Sequence, residues 1–139
     1  MDRYTATFAQ VSLTATLVSA VVMMLVGALW YSSFLFGRAW MRLSGIRPSD
    51  IRPEEARRGY GFAIIFSLLT AYLLGLVATH AGGSAFALFA SVAMIWLFIL
   101  AERANGFVWE KQPFALFLLQ AFRSLFALIA GAAVFFFWG

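Results

Sequence analysis

Four long apolar segments, at about residues 7–31, 61–79, 85–101 and 114–138, alternate with short polar or basic stretches. Each approaches the roughly 20 residues that a helix needs to cross a hydrocarbon core about 30 Å thick, and the third is the shortest. At that depth no water satisfies backbone amides, so such segments fold as helices. The pattern predicts an all-α, polytopic membrane protein over residues 1–139: four transmembrane helices in a compact bundle, with larger loops at 32–60 and 102–113. Val18-Ser19-Ala20 loosely resembles a signal cleavage site, but the preceding stretch is studded with Thr and Ser and starts beside Asp2 and Arg3. The first segment is therefore read as a retained span.

The first loop has a pattern of its own. Trp30 and Tyr31 suit an interfacial aromatic belt, and Ser32-Ser33 weakens the helix after them. Phe34, Leu35, Phe36, Trp40, Met41 and Leu43 then interleave with Arg38 and Arg42, which predicts a short amphipathic interfacial helix stopped at Gly45. Ile-Arg-Pro occurs at 46–48 and again at 51–53 and breaks the chain. Pro53 suits a first helical turn, with Glu54 spaced to pair with Arg58. Gly82-Gly83 predicts a tight turn between the second and third spans, and Asn105-Gly106 a turn between Glu102-Arg103 and Glu110-Lys111.

At about 100° per residue, Gln120, Arg123, Ser124, Ala127 and Gly131 share one side of the fourth span, and Leu118, Phe122, Leu125, Ile129 and Phe136 the other. Arg123 is the one charge in that span. It lies roughly 14 Å from the start of the span, on a rise of about 1.5 Å per residue. A guanidinium at such depth costs from about 3 to more than 10 kcal/mol unless compensated, so it must face protein. Two readings are open. One is an internal ion pair or carbonyl-capped arginine that sets helix register, with Glu102 and Glu110 as the available carboxylates. The other is an anion or headgroup site built from Arg123, Gln120 and nearby hydroxyls.

The first span carries two polar stripes, Thr5, Ser12, Thr16 and Ser19 on one face and Thr7, Gln10 and Thr14 on the other. They predict protein neighbours on both sides, although Ser and Thr can equally bond their own preceding carbonyls. The candidate intramembrane polar site is thus Arg123, Gln120, Ser124, Glu102, Glu110, Ser12 and Thr16.

Composition supports the membrane class: 63% of residues are hydrophobic and 12% charged, against about 45–50% and about 25% in soluble domains. The two larger loops hold Arg38, Arg42, Arg47, Arg52, Arg57, Arg58, Arg103 and Lys111, whereas the amino terminus holds only Arg3. That asymmetry predicts cytoplasmic loops and both termini outside. Asp50 and the arginines of the first loop are expected to meet anionic lipid headgroups, at about 1 kcal/mol per basic residue. The net charge of +4 is then a topology signal and not a nucleic-acid footprint.

Cysteine is absent and His80 is the single histidine. His80 ends the second span, as an interface residue, a pH-sensitive group or a lone axial ligand. No nucleophile–base pair, phosphate loop or metal motif can be assembled, so no enzyme and no cofactor is expected. No span holds Asp or Glu away from its ends, which argues against proton-driven export. The expected function is non-enzymatic binding or assembly, as a homo-oligomer or a subunit of a larger membrane complex. The alternative is an oligomeric permeation protein for an anion or small polar solute that uses Arg123.

The run from Gly27 to Met41, with Trp30-Tyr31-Ser32, Leu35-Phe36-Gly37-Arg38 and Trp40, resembles the signature of the bacterial membrane family called domain of unknown function 1761. The chain departs from that pattern at Ser33, where a proline normally falls, which removes the usual reason for a sharp break after the first span. Phe107-Val108-Trp109-Glu110, with Pro113 and Phe117-Leu118, is similar to the segment that leads into the family's final helix. The resemblance implies a four-helix membrane domain with motif positions Trp30, Tyr31, Ser32, Phe36, Gly37, Trp40 and Glu110. It implies no reaction, substrate or cofactor.

Overall fold

Ser12 starts the first helix. In the computed structural model, which describes residues 11–138, its hydroxyl accepts the Ala15 N–H at 3.2 Å, and α1 runs Leu13–Trp30. A side-chain oxygen satisfying an otherwise orphaned amide is a strong start signal, and it moves the expected beginning inward from residue 7. Residues 7–10 of the expected span lie outside the described residues. After α1 come α2 (Gly37–Ser44), a 3-10 turn (Pro48–Asp50), α3 (Pro53–Ala81), α4 (Ala85–Glu110) and α5 (Phe114–Trp138).

Local chemistry explains most of these boundaries. Gly45 ends α2 in the left-handed conformation at φ 75, where the missing Cβ removes the usual penalty. The two Ile-Arg-Pro steps initiate structure, since Pro48 opens the 3-10 turn and Pro53 opens α3. Asp50 Oδ2 accepts the Arg47 N–H at 3.1 Å, so this carboxylate closes its own turn. Gly82 and Gly83, at φ 63 and 86, make the tight turn, and Ser84 then caps α4 by accepting the Ala87 N–H at 3.1 Å. Glu54 and Arg58 are both exposed and form no ion pair.

One expectation fails at the end of the third span. Asn105-Gly106 makes no turn, and α4 continues through both to Glu110. A glycine inside a helix costs only about 1 kcal/mol, which continuous backbone hydrogen bonding outweighs. The chain reverses instead at Lys111-Gln112-Pro113, where Lys111 takes φ 54 and Pro113 has no N–H to extend α4. The expected loop 102–113 is thus mostly helix.

The centre of the bundle is α5, whose best apolar window is 44% buried, against 28% for α1, 17% for α3 and 11% for α4. It touches every other helix. The two polar stripes of α1 predicted neighbours on both sides, and α1 does pack on α5 and α3. Thr14 nevertheless faces outward, and the buried face is Ala15, Thr16, Ser19, Ala20 and Met23. The helices approach closely at Gly131, where an added Cβ would lie 2.9 Å from both Leu74 Cδ1 and Met23 Sδ. There Ser19 Oγ donates to the Gly131 carbonyl at 3.0 Å. Small residues and interhelical hydroxyls are how apolar helices associate in lipid, which offers no hydrophobic drive between them. Among the described residues four helices are long and apolar enough to cross a bilayer, as in a multi-pass membrane protein.

Candidate functional site

The site grows out of the register between α4 and α5. Trp96 Nε1 donates to the Ala121 carbonyl at 2.8 Å, and Val92, at 1% exposure, is sealed in the core. At about 100° per residue, Trp96, Ile99 and Arg103 all lie within roughly 40° of Val92, whereas Glu102 is turned about 80° away. The side of α4 that carries Val92 therefore continues to Arg103, itself exposed, and not to Glu102. The expected Arg123–Glu102 pair does not form: Glu102 is exposed, and Arg123 has no ion pair with any described carboxylate.

Arg123 and Arg103 line one cavity of about 440 Å³. Its polar wall is completed by Ser67 and Thr70 of α3 and Ser124 of α5, and Met23, Ala127 and Leu128 close its inner end. Arg123 Nη2 donates to Ser124 Oγ at 3.4 Å, and that hydroxyl donates to the Gln120 carbonyl at 3.2 Å. Ala63 and Phe66 on the rim are exposed, so the cavity opens where α3 and α4 draw apart. Among the described residues no carboxylate lines it. Two guanidinium groups and three hydroxyls lining one space favour an anion there, although Arg103 is exposed and Arg123 half-buried.

The remaining candidates separate into other places. Glu102, Glu110 and Gln120 line an adjoining cavity of about 360 Å³, to which Arg103 also contributes. Glu110 Oε2 accepts from Gln112 Nε2 at 2.9 Å. Ser12 lies near the other end of the bundle in a small cavity beside Gly75 and Phe135. Thr16 donates to the Ser12 carbonyl at 2.7 Å, the local alternative for such a hydroxyl. Neither joins Arg123. His80 is exposed, with Nδ1 2.9 Å from the Leu76 carbonyl. Among the described residues no group of three His, Cys, Asp or Glu could hold a metal ion. Arg103, Ser67 and Thr70 were missed as site residues, although the four-residue step from Ile99 to Arg103 carried the signal for the first.

The signature run forms a corner after α1. Ser32 Oγ donates to the Leu29 carbonyl at 2.6 Å, the Phe36 N–H to Trp30 O at 3.0 Å and the Gly37 N–H to Ser32 O at 2.9 Å. The sharp break is thus made without proline at position 33. Trp30 packs on Phe36 at 4.5 Å and on Phe126 of α5 at 5.6 Å, while Tyr31 meets Trp40 at 5.8 Å. The Trp30 Nε1–H is buried without an acceptor, so ring contacts hold this indole. At the end of α4, Phe107 stacks on Phe117 of α5 at 5.2 Å and meets Phe114 at 5.8 Å.

A model of the family described as a protein of unknown function, DUF1761, matches residues 14–136. The chain belongs to this family. No curated protein and no solved structure matches it. The DUF1761 match covers both aromatic stretches, and each of them grips α5, one at Phe126 and the other at Phe114 and Phe117. In this DUF1761 chain they contact α5 on both sides of Arg123.

Proposed function

We propose that this protein is a non-enzymatic membrane binding protein whose Arg103–Arg123 cavity holds the phosphate of a lipid headgroup. The observation that carries the reading is the pair of unneutralised guanidinium groups lining one cavity with Ser67, Thr70 and Ser124 and no carboxylate. Basic pockets between membrane helices recognise phosphate headgroups, and guanidinium binds phosphate through two parallel hydrogen bonds. The same reading sets the Arg-rich end in the cytoplasm of a bacterial inner membrane with both termini outside, because eight of the 10 Lys and Arg residues lie toward that end. It includes action as a homo-oligomer or as a subunit of a larger membrane complex, since the chain carries a small binding cavity but no catalytic set.

Permeation has less support. A path would require the α1 hydroxyls to share a space with Arg123, whereas Ser19 is spent on Gly131, Thr16 on its own helix, and Ser12 borders a separate cavity. The test is lipid retention by the purified protein, measured by native mass spectrometry. Arg103→Gln combined with Arg123→Gln should lower retention of phospholipid about tenfold or more, the factor that roughly 1.4 kcal/mol carries. Retention equal to that of the unmodified protein would refute an anion site.

A further inference from the structure

The two cavities at the Arg-rich end share Arg103 as a common wall, and the charges on either side are sorted by sign. On the deeper side Arg103 faces a space with Arg123 and Ser124. On the outer side it faces a space with Glu102, Glu110 and Gln120. The sorting follows from α4. Glu102, Gly106 and Glu110 recur at four-residue intervals and share a stripe. Gly106 lies between the two carboxylates on that stripe, and Glu110 Oε1 stands at an ordinary 3.7 Å from where a Cβ would be. Arg103 is the immediate neighbour of these carboxylates, yet it pairs with neither, and Glu110 has Gln112 as its hydrogen-bond donor. Acceptors and donors of full charge therefore stand in adjoining spaces, both open for a ligand.

Resting on the anion reading above, we propose that the site takes a zwitterionic aminophosphate headgroup. Its phosphate lies between Arg103 and Arg123, and its primary ammonium is received by Glu102 and Glu110. A purely anionic headgroup would satisfy the arginines and leave its remaining oxygens facing two carboxylates. A quaternary ammonium would bring the charge but no N–H to donate. A primary ammonium offers three donors, which suits two carboxylates and the Gln120 side-chain oxygen. The exposed Ala63 and Phe66 on the rim offer apolar surface to acyl chains, so the bilayer is one source of this chemistry and a free aminophosphate the other.

The test offers the full-length, delipidated protein in detergent an equal mixture of phosphatidylethanolamine, phosphatidylglycerol and phosphatidylcholine, and reads bound lipid by native mass spectrometry. The unmodified protein should retain phosphatidylethanolamine over the other two by about tenfold. Glu102→Gln with Glu110→Gln, both on exposed residues, should bind phosphatidylethanolamine and phosphatidylglycerol equally. Arg103→Gln with Arg123→Gln should lose both, and Arg103→Lys with Arg123→Lys should recover part of the binding, which separates lost charge from lost fold. Free phosphoethanolamine that displaces the lipid from the unmodified protein, but not from the glutamine variant, would extend the same recognition to a soluble source. Binding of the lipid alone, with the same dependence on Glu102 and Glu110, would make the bilayer the source. Equal retention of phosphatidylglycerol by the unmodified protein, or a preference that survives in the Glu102→Gln/Glu110→Gln variant, overturns the zwitterion proposal and leaves the anion reading standing. Retention that ignores the arginine substitutions overturns both.

Discussion

Replacing Gly37 by alanine should open the corner that joins α1 to α2. The new Cβ would sit 2.8 Å from the Ser32 carbonyl oxygen and 2.9 Å from its carbon, and closer still to the Tyr31 carbonyl oxygen. These are main-chain atoms that cannot swing aside, so relief requires the corner to spread. Spreading breaks the Gly37 N–H bond to Ser32 O and the Phe36 N–H bond to Trp30 O, at about 0.5–1.5 kcal/mol each. It also disturbs the Trp30–Phe36 ring contact at 4.5 Å, worth about 0.5–1.5 kcal/mol. Alanine returns at most about 1 kcal/mol through its better helix propensity. The net expectation is a loss of about 1–3 kcal/mol, within the usual range for overpacking. Gly27→Ala is the control, because an added Cβ there meets nothing within 4 Å. Lying inside α1, it should be neutral or stabilising by up to about 1 kcal/mol. Reversible unfolding in mixed detergent micelles, or steric trapping in bicelles, measures both differences. The reasoning is wrong if Gly37→Ala is as stable as the unmodified protein, or if Gly27→Ala loses as much.

Two further perturbations probe the packing. Ser19→Ala removes the buried bond to the Gly131 carbonyl and should cost about 0.6 kcal/mol, the usual worth of an interhelical hydrogen bond in a membrane, in the same unfolding assay; a loss above about 2 kcal/mol would mean that the site does more than bond. Gly106→Ala should stabilise by about 0.5–1 kcal/mol, because position 106 is helical and its nearest neighbour lies at an ordinary 3.7 Å. Destabilisation there would restore the turn that Asn105-Gly106 suggests.

Much of the architecture was legible in the order of residues because lipid leaves a chain few choices. The number of spans, the amphipathic α2 with its stop at Gly45, the start of α3 at Pro53 and the Gly82-Gly83 turn each follow from local rules about backbone satisfaction, φ restriction and hydropathy. The misreadings came where two local signals competed. Ser12 is one hydroxyl in a polar stripe, yet its position before the first helical turn makes it a cap. Asn105-Gly106 has turn chemistry, yet Pro113 supplies a firmer stop seven residues later.

The candidate site was only half legible. Arg123 declares itself, because a lone cation about halfway along an apolar span demands compensation wherever it points. What compensates it depends on the rotation of α4 about its own axis, which Val92 and the Trp96 bond to Ala121 decide. A rotation of roughly 100°, one residue on a helix, exchanges Glu102 for Arg103. That single step turns an expected ion pair into a cavity with two like charges. The sequence by itself determined that this chain crosses the membrane four times and carries an arginine deep in its last span. Only the tertiary structure decided that α5 is the centre, that the Ser19 hydroxyl bonds across to it, and that Arg123 shares its cavity with a second arginine. The physical reason is that span identity depends on hydropathy summed along one helix, whereas a site depends on the mutual rotation of several.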